Sequence, residues 1–258
     1  MPRSGTSWLG QIFDSSPEVR FRLSPLFSYE FKNHVNEQST REEWEHVFQG
    51  AYASSNAFMN QTERRSAGEY PVFPVKQAKP RCLVIKETRF HNLLERALDL
   101  IPNLKAVAII RHPCGAIHSW LTAPREFPRN LNPLVEWRSG ACRKTSSGEF
   151  WGFDDWKTVT RLHLRLSSTM PQRFALQRYE DVVRDPVSAT RRLFSFCGLD
   201  YTSQTENFIR DSQSKHVDNE YAVFKDPSVK DRWRTELTLE IRDSILRDIT
   251  GSDLGQFL

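Results

Sequence analysis

Leu104-Lys105-Ala106-Val107-Ala108-Ile109-Ile110 is a near-continuous apolar run of strand length, and Arg111-His112-Pro113-Cys114-Gly115-Ala116-Ile117-His118-Ser119-Trp120 follows it without a break. The first segment predicts a buried strand, and the second predicts a helix entered through a proline turn. Arg111 then stands at a strand end, where open α/β sheets bind their ligands. Ser119 lies eight residues further on, about two helical turns, on a face that looks back at the strand end. A guanidinium fork and a hydroxyl so placed can hold one phosphate between them.

Working outward, the same alternation repeats. Arg81 to Lys86 reads as a short buried strand, and His91 to Ile101 as a helix with Leu94, Ala97, Leu98 and Ile101 on one face and Pro102 beyond its end. Phe174 to Gln177 is the next strand, and Val187 to Cys197 is a helix closed by Gly198 as its C′ residue. Glu42 to Tyr52, Trp156 to Leu166 and Leu237 to Ile249 complete the helical stretches. Strands alternating with helices imply an α/β fold, with a mainly parallel central sheet covered by helices on both faces. The whole, 1–258, is expected to be one domain. Asn60 to Lys79 is polar and punctuated by proline, so an exposed loop is expected there. Thr122 to Asp155 is rich in Pro and in aromatics, namely Phe127, Trp137, Phe150, Trp151 and Phe153. It reads as a lid or acceptor-facing insertion, with plain packing as the alternative.

The chain opens on a second anion signal. In Pro2-Arg3-Ser4-Gly5-Thr6-Ser7-Trp8-Leu9, Gly5 permits a tight turn that aims successive N–H groups at one point. The helix that follows, with Trp8, Leu9, Ile12 and Phe13 at helical spacing, adds its positive dipole end. Arg3 contributes a cation, and Ser4, Thr6 and Ser7 contribute hydroxyls. The pattern is not G-x-x-x-x-G-K-[ST], since the lysine and the first glycine are missing.

Together, PRSGTSWL and RHPCGAIHS are similar to the two cofactor signatures of sulfotransferases that use 3′-phosphoadenosine 5′-phosphosulfate (PAPS). Phe174 to Pro186, containing Arg178-Tyr179-Glu180-Asp181, resembles that family's strand and turn. Val229-Lys230-Asp231-Arg232-Trp233-Arg234 resembles its basic C-terminal segment. The resemblance spans residues 2 to about 245 and implies a three-layer, P-loop-like architecture. It implies that Arg3, Ser4, Gly5, Thr6 and Ser7 bind the 5′-phosphosulfate, that Arg111 and Ser119 bind the 3′-phosphate, and that Trp8 and Tyr179 lie against the adenine. Arg232 joins the cofactor-binding set, and Lys86 at its strand end is implied to reach the bridging or sulfuryl oxygens. Family members carry an apolar strand just before the phosphate loop. Only Met1 precedes Pro2 here, so the first strand is expected to be lacking, as in a truncated chain.

Sulfuryl transfer needs cations and N–H donors beside the leaving phosphate and a base beside the acceptor. Carbohydrate-type relatives place a Glu before a proline after the first helix, and here that pair is Ser24-Pro25. Cytosolic relatives place a His two residues beyond the strand-end lysine, and here that position is Thr88. The catalytic candidates are therefore Lys86, Glu87 and His91, with Glu30 and His34 as further possibilities for the base. For Glu87 the competing reading is a salt bridge with Arg89 or Lys86. Glu180 and Asp181 read as caps of the following segment or partners of Arg178.

The net charge of +4 on 258 residues, with 38% hydrophobic and 26% charged residues, describes a globular chain without a concentrated basic block. No nucleic-acid partner is expected. No apolar run is long enough to span a bilayer, and no signal-peptide pattern is evident. Cys82, Cys114, Cys142 and Cys197 are scattered, which argues against a zinc site or a disulfide framework. Cys82 and Cys197 read as small buried hydrophobes. A cytoplasmic location is expected, with a fragment of a lumenal, membrane-anchored enzyme as the alternative. The expected partner is a small-molecule or glycan acceptor. The competing functions are a nucleotide-binding paralogue without turnover and a P-loop kinase. The kinase is disfavoured by the missing G-K-[ST] and by the lack of an evident Asp to hold Mg²⁺.

Overall fold

The computed structural model describes residues 1–215, 223–224 and 227–258. Along them run α1 (Thr6–Asp14), β1 (Val19–Leu23), α2 (Arg41–Ala53), the short α3 (Ala57–Asn60) and α4 (Thr62–Ser66), and β2 (Cys82–Lys86). Next come α5 (His91–Leu100), β3 (Ala106–Ile110), α6 (Pro113–Leu121), α7 (Pro133–Glu136), α8 (Gly152–Thr169) and β4 (Phe174–Arg178). The chain ends through α9 (Tyr179–Arg184), α10 (Pro186–Cys197), α11 (Ser203–Ser214), α12 (Trp233–Glu236) and α13 (Leu239–Ile249). It divides into two compact units. The first comprises Met1–Gly5, Ala106–Arg184 and Pro227–Leu258, and the second comprises Thr6–Lys105 and Asp185–Asp226.

Each unit is built on one pair of parallel strands. In the first, β3 pairs with β4 in the register Ile110 to Arg178. In the second, β1 pairs with β2 in the register Leu23 to Lys86. The strands are thus parallel as the sequence predicts, and among the described residues they hydrogen-bond as two couples. Registers of this kind place Arg111 beside Tyr179, and Ser24 beside Glu87, just past the carboxyl ends of the paired strands.

In the first unit Ile110, Ile117, Trp120, Phe153, Trp156, Trp233 and Ile241 are buried in one cluster. The aromatics of the 122–155 stretch join it: Phe127, Trp137, Trp151 and Phe153 are all core, while Leu134 and Val135 are exposed. In the second unit Phe31, Trp44, Val47, Ala51, Met59, Leu93 and Ala97 form the cluster. α2 is entered by a capping box, in which Thr40 accepts from Glu43 N and Glu43 accepts from Thr40 N. Gly198 closes α10 in the left-handed region at φ 72°, its N–H bonded back to Phe194 and Ser195, as expected.

Several local expectations are corrected. β1 has alternating charge, Val-Arg-Phe-Arg-Leu, and no strand was expected there. The tertiary environment accepts Arg22 in the interior, overriding the apolar rule. β2 is half-buried along its length rather than buried, and so are Cys82 and Cys197. The 60–79 stretch is not an exposed loop throughout. It contains α4, buries Gln61 and Tyr70, and is strapped down by Lys76, whose Nζ donates to Asp14 Oδ1 at 2.8 Å and to Ser16 O and Val19 O at 3.1 Å. α8 starts four residues before the expected Trp156, because Asp155 accepts from Trp151 N at 2.8 Å and closes the turn ahead of it.

Candidate functional site

In the first unit the loop Met1–Gly5 carries two left-handed residues, Arg3 at φ 62° and Gly5 at φ 85°. Glycine meets this geometry without strain, and at position 5 it is also required by contact. A Cβ there would lie 2.4 Å from the Tyr179 ring. Ser4 is 1% exposed and its hydroxyl has no hydrogen-bond partner among the described residues. Arg3 donates from Nε to Ser119 Oγ at 3.2 Å and lies 3.8 Å from Glu126 Oε1. The sequence reading pairs Ser119 with Arg111, whereas here its hydroxyl accepts from Arg3, and Glu126 was not among the expected site residues.

Arg111, 6% exposed, donates from Nη1 to the Arg3 carbonyl at 3.3 Å and lies over the Tyr179 ring at 5.0 Å. Its Nε has no acceptor among the described residues. Burial holds its pKa below the usual arginine value, partly opposed by Tyr179 and Glu180. The backbone around it is fixed: Trp156 Nε1 donates to Arg111 O at 3.1 Å, and His112 N donates to Glu180 Oε1 at 2.9 Å. Glu180 therefore holds the start of α6 and neither caps its own segment nor pairs with Arg178. Asp181 pairs with Arg184 at 3.0 Å. Gly115 leaves room for the guanidinium, since a Cβ there would come within 2.9 Å of Arg111 Nε. His112 stacks on Trp233 at 4.2 Å. Burial and the nearby arginines push it down to about 4, so it is neutral at physiological pH. Arg232, beside that tryptophan, is exposed.

In the second unit α1 begins at Thr6. Ser7 Oγ accepts from Lys86 Nζ at 3.1 Å, so the strand-end lysine reaches the helix start. Trp8 Nε1 donates to Ser212 Oγ at 2.9 Å. Ser24, beside Glu87 in register, adopts φ 40° and ψ 60°, a left-handed conformation that costs a residue with a Cβ about 1–2 kcal/mol. Its N donates to Lys86 O at 2.9 Å and its Oγ at 3.2 Å. Glu87 Oε1 accepts from Thr88 N at 3.1 Å and from Arg89 N at 3.4 Å. The residue as a whole is half-buried, but its Oε2 is sealed from solvent and has no partner among the described residues. Burial raises the carboxyl to about 7 against the lowering effect of those N–H groups. His91 is buried at the start of α5. Glu30 is taken by Ser54 Oγ at 2.7 Å, and His34 packs edge-on to Phe31 at 5.7 Å.

Chemically, one unit presents a buried guanidinium and a buried hydroxyl with unused donors, a combination suited to an anion. The other presents an ammonium at a helix start next to a carboxyl poised to exchange a proton near neutrality. No group of three or more His, Cys, Asp or Glu capable of holding a metal ion occurs among the described residues. No helix among them is long and apolar enough to cross a membrane.

Residues 1–203 match the model of the Sulfotransferase family. Carbohydrate sulfotransferase 3 of Tetronarce californica is 26% identical over 149 residues, covering 55% of this chain and 33% of that protein. Carbohydrate sulfotransferase 4 of Mus musculus is 24% identical, covering 96% of this chain and 77% of that protein. The chain therefore spans about a third of the length of the first relative and about three quarters of the second. Among solved structures, mouse sulfotransferase SULT7A1 complexed with PAP gives a TM-score of 0.55 at 15% identity, covering 99% of this chain and 84% of that one. The sulfotransferase domain from the curacin biosynthetic pathway gives 0.51 at 18% identity, covering 96% and 94%. Likenesses of this kind establish a shared fold.

Proposed function

Because the chain belongs to the Sulfotransferase family, we propose that it transfers a sulfuryl group from PAPS to a hydroxyl, or an amine, of a carbohydrate, lipid or other small acceptor. The observation that carries this reading is the buried Arg111, whose Nε, like the Ser4 hydroxyl in the loop beside it, has no hydrogen-bond partner among the described residues. A charge buried this way costs several kcal/mol unless an anion completes it, and a 3′-phosphate supplies that anion. The proposal takes 1–258 as one catalytic domain, since the signature loop itself passes from the first unit to the second at Gly5–Thr6.

PAPS supplies a neutral SO₃ unit and leaves negative charge on a phosphate. Arg111 and Ser119 bind the 3′-phosphate, and Tyr179 offers its face to the adenine. Arg3 and the N–H groups of Ser4 to Ser7 bind the 5′ side and stabilise the charge that develops there. Lys86, held on Ser7 Oγ, places its ammonium at the same loop. Glu87 takes the proton of the acceptor through Oε2, and a carboxyl near 7 is suited to that task at physiological pH. His91 is the alternative base. With carbohydrate sulfotransferases among its relatives, a glycan hydroxyl is the acceptor we favour. Four free thiols suit the cytoplasm, and a lumenal site is the alternative, which fractionation of the tagged protein would decide.

Calorimetric titration with 3′-phosphoadenosine 5′-phosphate (PAP) tests the donor site. Micromolar binding that Arg3→Ala abolishes is the expected result, and absence of binding to the folded protein would sink it. PAP binding without transfer to any glycan tried would favour the paralogue without turnover, and a preference for ATP with Mg²⁺ would favour a kinase.

A further inference from the structure

Arg3 keeps a left-handed φ of 62° with a full side chain, a conformation that persists only where its surroundings over-determine it. Contacts within the first unit do so. Arg111 Nη1 donates to the Arg3 carbonyl at 3.3 Å. Arg3 Nε donates to Ser119 Oγ at 3.2 Å, and Arg3 Nη1 lies 3.8 Å from Glu126 Oε1. Glu126 is itself anchored to the core through its backbone. Its N donates to Ala123 O at 2.9 Å, and its carbonyl accepts from Nε1 of the buried Trp120 at 3.4 Å. The carboxylate therefore has a fixed place in the turn that follows α6. Its Oε2 is sealed from solvent and has no hydrogen-bond partner among the described residues.

Arg3 and Arg111 bring two guanidiniums together here, and Glu126 sets a carboxylate against them. Opposite charges shielded from water attract strongly at such a distance. A separation of 3.8 Å is nevertheless beyond hydrogen-bond length. The attraction is Coulombic, and it yields to an anion that comes closer.

We propose that Glu126 is a positioning residue of the donor site, the built-in counter-ion of Arg3: its carboxylate steadies the guanidinium while the site is empty, and the nucleotide phosphate takes Arg3 over from it. The proposal rests on the reading of Arg3 as a ligand of PAPS. An anion arriving at Arg3 meets a carboxylate already there, and their repulsion lowers its affinity. Glu126 thus stabilises the unbound protein and weakens binding, and the weakening is expressed chiefly as faster release of PAP.

Glu126→Gln keeps the shape and removes the charge, so it reads both effects in the full chain without an acceptor. Thermal melting without ligand should fall by about 2–4 °C, while calorimetry should show PAP bound about three- to tenfold tighter. In an Arg3→Ala background the same substitution should leave the melting temperature nearly unmoved, because Glu126 acts through Arg3. Glu126→Asp, which draws the charge back by one methylene, should bind PAP with an affinity between wild type and Gln. If the Gln variant does not fold, the Asp variant decides: tighter PAP than wild type supports the proposal, and equal or weaker PAP overturns it. A carboxylate that merely packs its turn would lower stability in both backgrounds and leave PAP binding unchanged or weakened. If PAP binds the wild type and Arg3→Ala abolishes this, yet Glu126→Gln brings no gain, the role of Glu126 is refuted and the donor site stands. If PAP does not bind the folded wild type, both fall together.

Discussion

Two buried arginines, one in each unit, differ in how far the protein satisfies them. Arg22, on β1, spends every donor: Nε on Ala51 O at 2.6 Å, Nη1 on Phe21 O and Asn60 Oδ1 at 2.9 and 2.7 Å, and Nη2 on Tyr52 O and Ser54 O at 3.1 and 2.9 Å. Arg111, past the end of β3, makes one long bond to a carbonyl, and its Nε has no acceptor among the described residues. Both are buried to a similar degree, at 5% and 6% exposed. What separates them is satisfaction. Carbonyls and one amide complete Arg22 inside the protein, whereas the proposed function has the nucleotide complete Arg111. Glu87 is the acidic counterpart of Arg111, with one oxygen held by two N–H groups and the other buried without a partner among the described residues.

The comparison is broken most directly at Arg22. Arg22→Ala would orphan buried acceptors on α2, α3 and β1 and should cost about 3–4 kcal/mol in denaturant unfolding. A loss as small as that expected at Arg111 would erase the distinction. Glu87→Gln tests the acidic side through pH. The folded carboxyl titrates at about 7 against 4.5 for the free group, so the folded state keeps a proton that the unfolded state has released. Wild-type stability should therefore fall as pH rises from about 4.5 to about 7. The Gln variant should gain on the wild type over that window by at most about 3 kcal/mol. It should also lose the rise in transfer rate through pH 7, and equal stability profiles would show that Glu87 is not held protonated.

Arg111→Ala should weaken PAP about 10- to 100-fold, the worth of a charge-assisted contact, while changing unfolding by less than about 1 kcal/mol. A nucleotide lacking the 3′-phosphate should be affected far less, and equal losses for both would contradict the assigned role. Gly115→Ala is the smallest change. The added methyl favours the helix by about 1 kcal/mol but presses on Arg111 Nε. Affinity for PAP should fall a few-fold with stability unchanged or slightly raised, as thermal melting and calorimetry would show.

How much of this could be read in advance varied with sequence distance. The place of Arg111 at a strand end was legible from the apolar run before it, but the partner of Ser119 was not: its hydroxyl meets Arg3. Gly5 was legible because a turn into a helix needs its conformation. Lys86 and Glu87 could be placed at a strand end, but not ranked. Their difference lies in Ser24, whose left-handed backbone and contact with Lys86 O have no local signature. Tyr70 and Glu126 were missed because each sits in an irregular stretch, and their partners are Arg64 and Arg3. The aromatics of 122–155 were legible as unusual, but whether they faced acceptor or core was a matter of packing.

The sequence by itself determined the kinds of most elements, β1 excepted, the parallel sense of the strands and the chemical identities gathered at the two motifs. These depend on spacing along a few turns of backbone, where geometry is nearly independent of the rest of the molecule. Only the tertiary structure decided which buried charges are complete. Arg22 needs Asn60, some forty residues away, and Glu87 owes its raised pKa to desolvation by everything packed around it. Burial and hydrogen-bond satisfaction are sums over neighbours in space, and spatial neighbours are what a linear sequence leaves unstated.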